Sequence, residues 1–119
     1  VINGDGNYVG GAIAPGINLS VEALHRAAAM LPRVSVERPS DVIGKRTESA
    51  MHSGIYWGYV GLIEGLVKRI RDEFGEEMRV IATGGLAPLF EAATDAIGQV
   101  DGDLTLRGLV SIYARNAAK

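Results

Sequence analysis

Two glycine-rich turns in this chain have the composition of loops that bind anions or nucleotides. One is GGAIAPG at residues 10–16, and the other comprises Thr83, Gly84 and Gly85. Each follows a strand-like stretch and precedes a predicted helix, so backbone N–H groups could face an anion there. Neither turn matches the GxxxxGK[ST] phosphate loop or the GxGxxG dinucleotide fingerprint. A plain tight turn therefore stays open beside a ligand-binding loop at both places.

A third candidate consists of two cations and a hydroxyl, Lys45, Arg46 and Thr47, just before a long helical pattern. Positive side chains beside the N-terminus of a helix suit a carboxylate or phosphate, because the positive end of the helix dipole lies there. Capping and solvation of the helix start is the alternative that this spacing leaves open.

The composition excludes several other chemistries. The 119 residues carry a net charge of −2, which disfavours a nucleic-acid partner held through phosphate contacts. Cysteine is absent, which excludes disulfides, thiol catalysis and zinc-thiolate sites and fits a reducing cytoplasm. His25 and His52 have no metal-ligand spacing. No acid–base carboxylate pair is evident, so any phosphoryl transfer needs a base and metal carboxylates from outside these residues.

The element that must position the candidate residues is a predicted helix over Thr47–Phe74. Its 28 residues contain no proline, and apolar residues recur at helical spacing. Gly54, Gly58, Gly61 and Gly65 line one face of it. Because a glycine inside a helix costs roughly 1 kcal/mol relative to alanine, we expect another backbone to approach this face closely. That partner is either a segment of the same subunit or the same helix of a second copy.

The long helix is not expected to cross a membrane. Glu64 interrupts its apolar run, and the charged residues KRIRDE at 68–73 follow. A spanning helix needs about 18 or more uninterrupted apolar residues.

Upstream of the long helix, the pattern predicts a β-hairpin, a helix and a short strand. Turn-forming residues 3–7 separate two apolar runs, and the second strand of the hairpin extends to Ala14. Ser20 is the expected cap of the following helix, and Pro32 its end. A short strand is predicted at residues 34–36. The expected buried stripe of the helix comprises Val21, Leu24, Ala28 and Leu31.

Downstream, the pattern predicts a buried strand at residues 79–82, a helix at residues 86–97 and a last helix capped by Asp103. The apolar residues of the last helix are Leu106, Leu109, Val110 and Tyr113. These elements together predict an α/β fold. We expect an N-terminal part to be missing, because the strands are few and the chain opens as if within a strand.

Five blocks of the sequence, in order and covering nearly the whole chain, resemble the C-terminal half of type III pantothenate kinases. The same family includes proteins named as Bvg accessory factors. The blocks are YVGGAIAPGI (8–17), IGKRT (43–47), SGIYWGY (53–59), IATGGLA (81–87) and DLTLRGL (103–109).

The resemblance implies the ribonuclease-H-like half of an acetate/sugar kinase–Hsp70–actin-like fold, with the N-terminal strands and domain missing. Residues 1–119 would form the C-terminal kinase domain. The implied reaction is ATP-dependent phosphorylation of pantothenate to 4'-phosphopantothenate in coenzyme A biosynthesis, with magnesium and a monovalent cation such as potassium. A cytoplasmic homodimer is implied.

By matching position, the resemblance places Thr83, Gly84 and Gly85 on the adenosine side of the nucleotide site. Gly11 and Gly16 fall in a family loop near the cleft. These five residues are therefore the expected cofactor-binding set.

The resemblance also implies that Thr47 reaches pantothenate in the neighbouring subunit's site, and that the Thr47–Phe74 helix lies at the dimer interface. The aspartate-bearing phosphate, pantothenate and general-base motifs of the family have no counterpart here, so we expect the isolated chain to be inactive. A non-enzymatic dimerising half-domain and a weak nucleotide-binding module are the alternatives.

Overall fold

A computed structural model of the chain describes residues 1–27 and 31–117. The chain divides into two compact units, Val1–Trp57 and Gly58–Lys119. The described helices and strands mix in the manner of the α/β class. The elements are α1 (Ile17–Ala27), α2 (Thr47–Phe74), β1 (Ile81–Ala82), α3 (Ala87–Glu91), β2 (Gln99–Val100) and α4 (Leu104–Ala117).

The chain begins with a short antiparallel turn of the predicted kind. Ile2 and Tyr8 form an antiparallel bridge, and the Oδ1 of Asn3 accepts hydrogen bonds from N–H groups within the turn. The predicted extension of the second strand to Ala14 is wrong, because residues 9–16 form no strand. Gly10 has a φ of 141°, which lies outside the range of a regular strand.

Helix α1 begins earlier than the sequence pattern predicts. Its first residue is Ile17, so Ser20 lies inside the helix rather than at its cap. The Oγ of Ser20 donates to the carbonyl of Gly16, 3.3 Å away. The predicted buried stripe is wrong at Leu24, which is exposed, whereas Val21 and Leu31 are half-buried and Ile17 is the buried residue of the helix. Ala28 lies outside the described residues.

Residues 31–46 form neither a helix nor a strand. His25 is half-buried, and its Nδ1 lies 2.8 Å from the carbonyl oxygen of Leu31. Leu31 is not helical, so α1 ends before Pro32 rather than at it. The strand predicted at residues 34–36 is absent, although Val34 is buried.

Helix α2 has the bounds that the sequence predicts, Thr47–Phe74. At its start the backbone N–H of Arg46 donates to the Oγ of Ser49 at 3.1 Å, which satisfies a group just outside the helix. At its end Gly75 adopts a φ of 74° and donates its N–H to the carbonyl of Arg71. A left-handed glycine of this kind is a common helix terminator.

The glycine face of α2 has no close neighbour in the described part of the chain. A Cβ placed on Gly54, Gly58 or Gly61 would meet nothing within 4 Å, and one on Gly65 would meet only the tip of Arg69. Of the two neighbours that the sequence leaves open, a segment of the same subunit therefore does not approach this face within the described residues. The helix instead buries Ser53, Tyr56 and Val60 on the opposite face, and Met51 beside the glycine row.

In the second unit, β1 and β2 form a parallel pair of two residues each, with Ile81 opposite Gln99 and Ala82 opposite Val100. The strand predicted at residues 79–82 is therefore half as long as expected. It is also not buried, because the side chain of Ile81 is exposed. Strand β2 was not predicted from the sequence.

Helix α3 is much shorter than the helix predicted at residues 86–97. Pro88 stands in its first turn, and Phe90 is buried against Tyr59 with ring centroids 5.2 Å apart. Turns replace the rest of the predicted helix. The Oγ1 of Thr94 donates to Glu64 at 2.7 Å and accepts the N–H of Ala96, which favours a turn over a helix.

Helix α4 follows Asp103 as predicted. The carbonyl of Asp103 accepts the N–H of Arg107, and the carboxylate of Asp101 pairs with the guanidinium of Arg107. No described residue of α4 is buried. Among the described residues, no helix is both long enough and apolar enough to cross a membrane. The exposed apolar residues of the helix are Leu104, Leu106, Leu109, Val110, Ile112 and Tyr113.

Candidate functional site

A cleft of about 560 Å³ lies beside the start of α2 in the first unit. Residues between Glu37 and His52 line this α2 cleft, and the segment before the helix, residues 37–46, is here named the 37–46 loop. Three cations and three carboxylates face the cleft together with His52. The charged residues are Glu37, Arg38, Asp41, Lys45, Arg46 and Glu48.

The residues predicted to bind an anionic substrate lie at the N-terminus of α2. Thr47 is its first residue and is exposed, and Lys45 and Arg46 are exposed immediately before it. Within the described residues, neither cationic side chain has an ion-pair partner. Two unpaired cations and a positive helix terminus together favour binding of an anionic group.

The 37–46 loop contacts the first turns of α2 at several points. The buried hydroxyl of Ser53 donates to the carbonyl of Val42. The guanidinium of Arg38 lies over the Trp57 ring, 5.6 Å from its centroid. These contacts fix the chain just upstream of Thr47.

Sequence reasoning missed two residues that shape this region. A Cβ on Gly44 would overlap the backbone of Ala50 in the first turn of α2, so only glycine fits there. Ser53 is a buried polar residue on the apolar face of the helix. The available signals were a glycine directly before a helix start and a serine in line with Tyr56 and Val60.

The glycine turn at residues 10–16 also belongs to the first unit, but Gly11 and Gly16 do not line the α2 cleft. A Cβ on Gly11 would lie 3.3 Å from the hydroxyl of Tyr8. The carbonyl of Gly16 accepts the N–H of Ser20 at 3.0 Å. This turn therefore connects the bridge to α1 rather than the predicted strand to a helix.

Thr83, Gly84 and Gly85 lie in the second unit, between β1 and α3, as the sequence predicts. All three residues are exposed, and Gly84 has a φ of 95°. The carbonyl of Gly84 accepts the N–H of Ala87 at 3.1 Å. A Cβ on either glycine would meet nothing within 4 Å, so the backbone of this turn is open to a flat ligand.

The described residues do not fit a magnesium site. In residues 1–27 and 31–117 no three histidine or acidic side chains converge as metal ligands would. Magnesium prefers carboxylate and phosphate oxygens in octahedral geometry, and such a donor set does not exist here. No metal-dependent step is assigned to these side chains.

Comparison with known proteins identifies the relatives of this chain. The model of the type III pantothenate kinase family matches residues 1–69. A protein of Rhodospirillum rubrum named type III pantothenate kinase is 71% identical over 116 residues, which are 98% of this chain and 45% of that protein. A protein of the same name from Paramagnetospirillum magneticum is 68% identical over 117 residues, again 98% of this chain and 45% of the relative. The chain thus spans just under half the length of these relatives.

Proposed function

This chain belongs to the type III pantothenate kinase family, and on that premise we propose that residues 1–119 form the C-terminal kinase domain of a cytoplasmic pantothenate kinase. The reaction is transfer of the γ-phosphoryl group of ATP to the 4'-hydroxyl of pantothenate in coenzyme A biosynthesis. The bond from the γ-phosphorus to its bridging oxygen breaks, and a bond to the hydroxyl oxygen forms. The family match over residues 1–69 carries this proposal, and the relatives correspond through their C-terminal half.

Pantothenate carries a carboxylate, and the N-terminus of α2 supplies groups that suit it. We propose that Thr47 donates a hydrogen bond to pantothenate, while Lys45 and Arg46 offset the negative charge of the carboxylate. The support is the exposure of all three residues and the lack of ion-pair partners for the two cations among the described residues. Charge-assisted hydrogen bonds of this kind are stronger than neutral ones.

The turn after β1 is the proposed contact with ATP. Thr83, Gly84 and Gly85 would accept the adenosine side of the nucleotide against the main chain. Gly11 and Gly16, in the first unit, complete the cofactor-binding set that the family resemblance implies. The support is the open backbone at Gly84 and Gly85. This assignment belongs to the proposed ribonuclease-H-like, actin-like fold of the complete enzyme.

The glycine face of α2 is the proposed homodimer contact. Gly54, Gly58 and Gly61 have open space where a side chain would stand. A row of glycines in a helix interior is unfavourable unless another backbone approaches it. Since no described segment of the chain does so, a second copy of α2 is the proposed neighbour.

The isolated chain and a fusion protein together test the proposed kinase activity. The isolated chain should show no ATP-dependent phosphorylation of pantothenate, because the proton of the hydroxyl has no base here and the described residues provide no metal carboxylates. A fusion of the upstream half of the Rhodospirillum rubrum relative to Val1 should restore turnover in a coupled assay with magnesium and potassium. Turnover by the isolated chain, or a folded but inactive fusion, would contradict the proposal.

Thr47→Ala in the fusion protein tests the substrate role. It should raise the KM for pantothenate by about 10-fold and leave the KM for ATP unchanged, because one substrate contact is lost. Thr105→Ala, the same change at an exposed residue of α4, is the matched control. Equal effects of the two substitutions would argue against a contact between Thr47 and pantothenate.

Weak nucleotide binding without transfer is the second candidate function. The open turn at Thr83, Gly84 and Gly85 favours it, because these residues are exposed in this chain. Calorimetric titration of the isolated chain with ADP measures it directly. An absence of heat at millimolar ADP would end this candidate.

A further inference from the structure

We infer that the 37–46 loop is a fixed frame that presets Lys45, Arg46 and Thr47 for substrate, and that Gly44 and Ser53 are the positioning residues of this frame. The inference rests on the proposed role of Thr47 in binding pantothenate. Neither positioning residue needs to touch the substrate. Each acts by holding the chain upstream of α2 against the helix.

Gly44 allows the loop backbone to lie directly on the first turn of α2. A Cβ at this position would overlap the backbone nitrogen and Cα of Ala50 and the carbonyl carbon of Ser49. Those atoms belong to the main chain of a helix and cannot move as a side-chain tip can. Any side chain at Gly44 must therefore push the loop away from α2, only three residues before Thr47.

Ser53 holds the 37–46 loop against α2 through a hydrogen bond. Its side chain is buried, and the whole residue is only 5% exposed. The hydroxyl donates to the carbonyl of Val42, two residues before Gly44. A buried hydroxyl that loses its acceptor costs free energy, so this bond selects one position of the loop.

Two further contacts flank these central ones. The guanidinium of Arg38 lies over the ring of Trp57. The Nδ1 of His52 lies 3.6 Å from a carboxylate oxygen of Glu37, and the His52 side chain is 14% exposed. The loop is thus held by side chains from two successive turns of α2, while Lys45 and Arg46 have no ion-pair partner among the described residues.

A frame of this kind would act on substrate binding more than on the chemical step. Groups that are held in the binding geometry before the ligand arrives lose less conformational entropy on binding. Loosening the loop should therefore weaken the interaction with pantothenate and leave ATP binding unchanged. A residue needed only for folding would instead change the melting temperature and all kinetic constants together.

Nuclear magnetic resonance of the isolated chain tests the frame without any activity. Backbone order parameters of residues 41–45 should be about 0.85 in the parent chain, the value for a rigid backbone. In Gly44→Ala and in Ser53→Ala they should fall below about 0.6. Gly102→Ala is the control, because a Cβ at Gly102 meets nothing within 4 Å. Unchanged order parameters in both loop variants would overturn the frame.

Kinetics of the fusion protein test what the frame does. Gly44→Ala should raise the KM for pantothenate by about 10-fold and Ser53→Ala by about 3-fold, with kcat and the KM for ATP within about twofold. Ser53→Cys keeps the shape of serine with a slightly larger atom but donates only a weak hydrogen bond, so it should resemble Ser53→Ala. A Ser53→Cys variant with parental kinetics would show that packing, not the hydrogen bond, is what matters.

The two proposals fail in different ways. If Thr47→Ala raises the KM for pantothenate but the loop variants lose order without changing that KM, the positioning inference is wrong. If the loop variants lose order and Thr47→Ala has no effect, the frame exists but the proposed substrate contact is wrong. An inactive fusion counts against the proposed function, and the order parameters alone then decide the frame.

Discussion

Helices α2 and α4 both carry apolar residues at helical spacing, but they differ in what covers those residues. In α2 the ring of Tyr56 is only 1% exposed, and Val60 is buried on the same face. In α4 the corresponding stripe is exposed throughout, and Tyr113 is 75% exposed. Tyr56 meets Trp57 edge to face at 5.0 Å, whereas no described residue of α4 is buried.

This difference teaches that a periodic apolar pattern predicts a helix more securely than it predicts a core. The stripe Leu106, Leu109, Val110 and Tyr113 has the spacing of a helix face that packs against another element. In the part of the chain that the structure describes, nothing packs on it. Substitutions at matched positions of the two helices therefore ought to have very different effects.

The largest effect is expected at the tyrosines. Tyr56→Ala should lower the free energy of unfolding by about 3–5 kcal/mol, since it removes a fully buried aromatic side chain. Tyr113→Ala should change it by less than about 0.5 kcal/mol, because the ring is exposed. Urea denaturation followed by circular dichroism measures both.

The same two substitutions, Tyr56→Ala and Tyr113→Ala, can also show that the contrast between α2 and α4 is wrong. A loss of more than about 2 kcal/mol from Tyr113→Ala would mean that another surface covers α4 in solution. The comparison then has to be repeated over a range of protein concentrations, because self-association makes the apparent stability depend on concentration.

The glycines should give the next largest effect. Gly58→Leu should weaken the proposed dimer by about 1–3 kcal/mol, because a side chain at a close backbone contact overpacks it. Gly108→Leu is the matched change in α4, and it should leave the dimer intact. Sedimentation velocity measures the dissociation constants. If Gly58→Leu changes neither the sedimenting mass nor the melting temperature, α2 is not the dimer contact.

The smallest effect is expected at the boundaries of the two helices. Gly75→Ala should destabilise the chain by roughly 1 kcal/mol, because the φ of 74° at the end of α2 disfavours a Cβ. Gly102, just before α4, is not among the described glycines with positive φ, so Gly102→Ala should not destabilise. Thermal unfolding monitored by calorimetry separates the two. Equal losses would show that the backbone conformation at Gly75 is not the cause.

The bounds of α2 could be predicted because all of the signals are local. No proline occurs in its 28 residues, and Gly75 follows directly. Residues 86–97 show the opposite case. Their composition favours a helix, but Thr94 bonds to Glu64, which is 30 residues away in sequence. A contact at that separation leaves no local pattern, so the helix was predicted too long.

The residues of the candidate site also differ in whether the sequence could predict their roles. Lys45, Arg46 and Thr47 were predicted at a helix start because the helical pattern begins beside them, and the structure places them there. Gly44 and Ser53 were not singled out. Their importance depends on the loop backbone lying on α2, and that contact is set by the path of the chain rather than by residue type.

The position of Trp57 has a practical consequence. It is the only tryptophan in the chain, and its indole N–H is buried with no hydrogen-bond partner among the described residues. A half-buried indole emits at shorter wavelength than one in water, and the guanidinium of Arg38 above the ring perturbs that emission. The protein therefore contains an intrinsic optical reporter beside the 37–46 loop, which needs neither a dye nor a label.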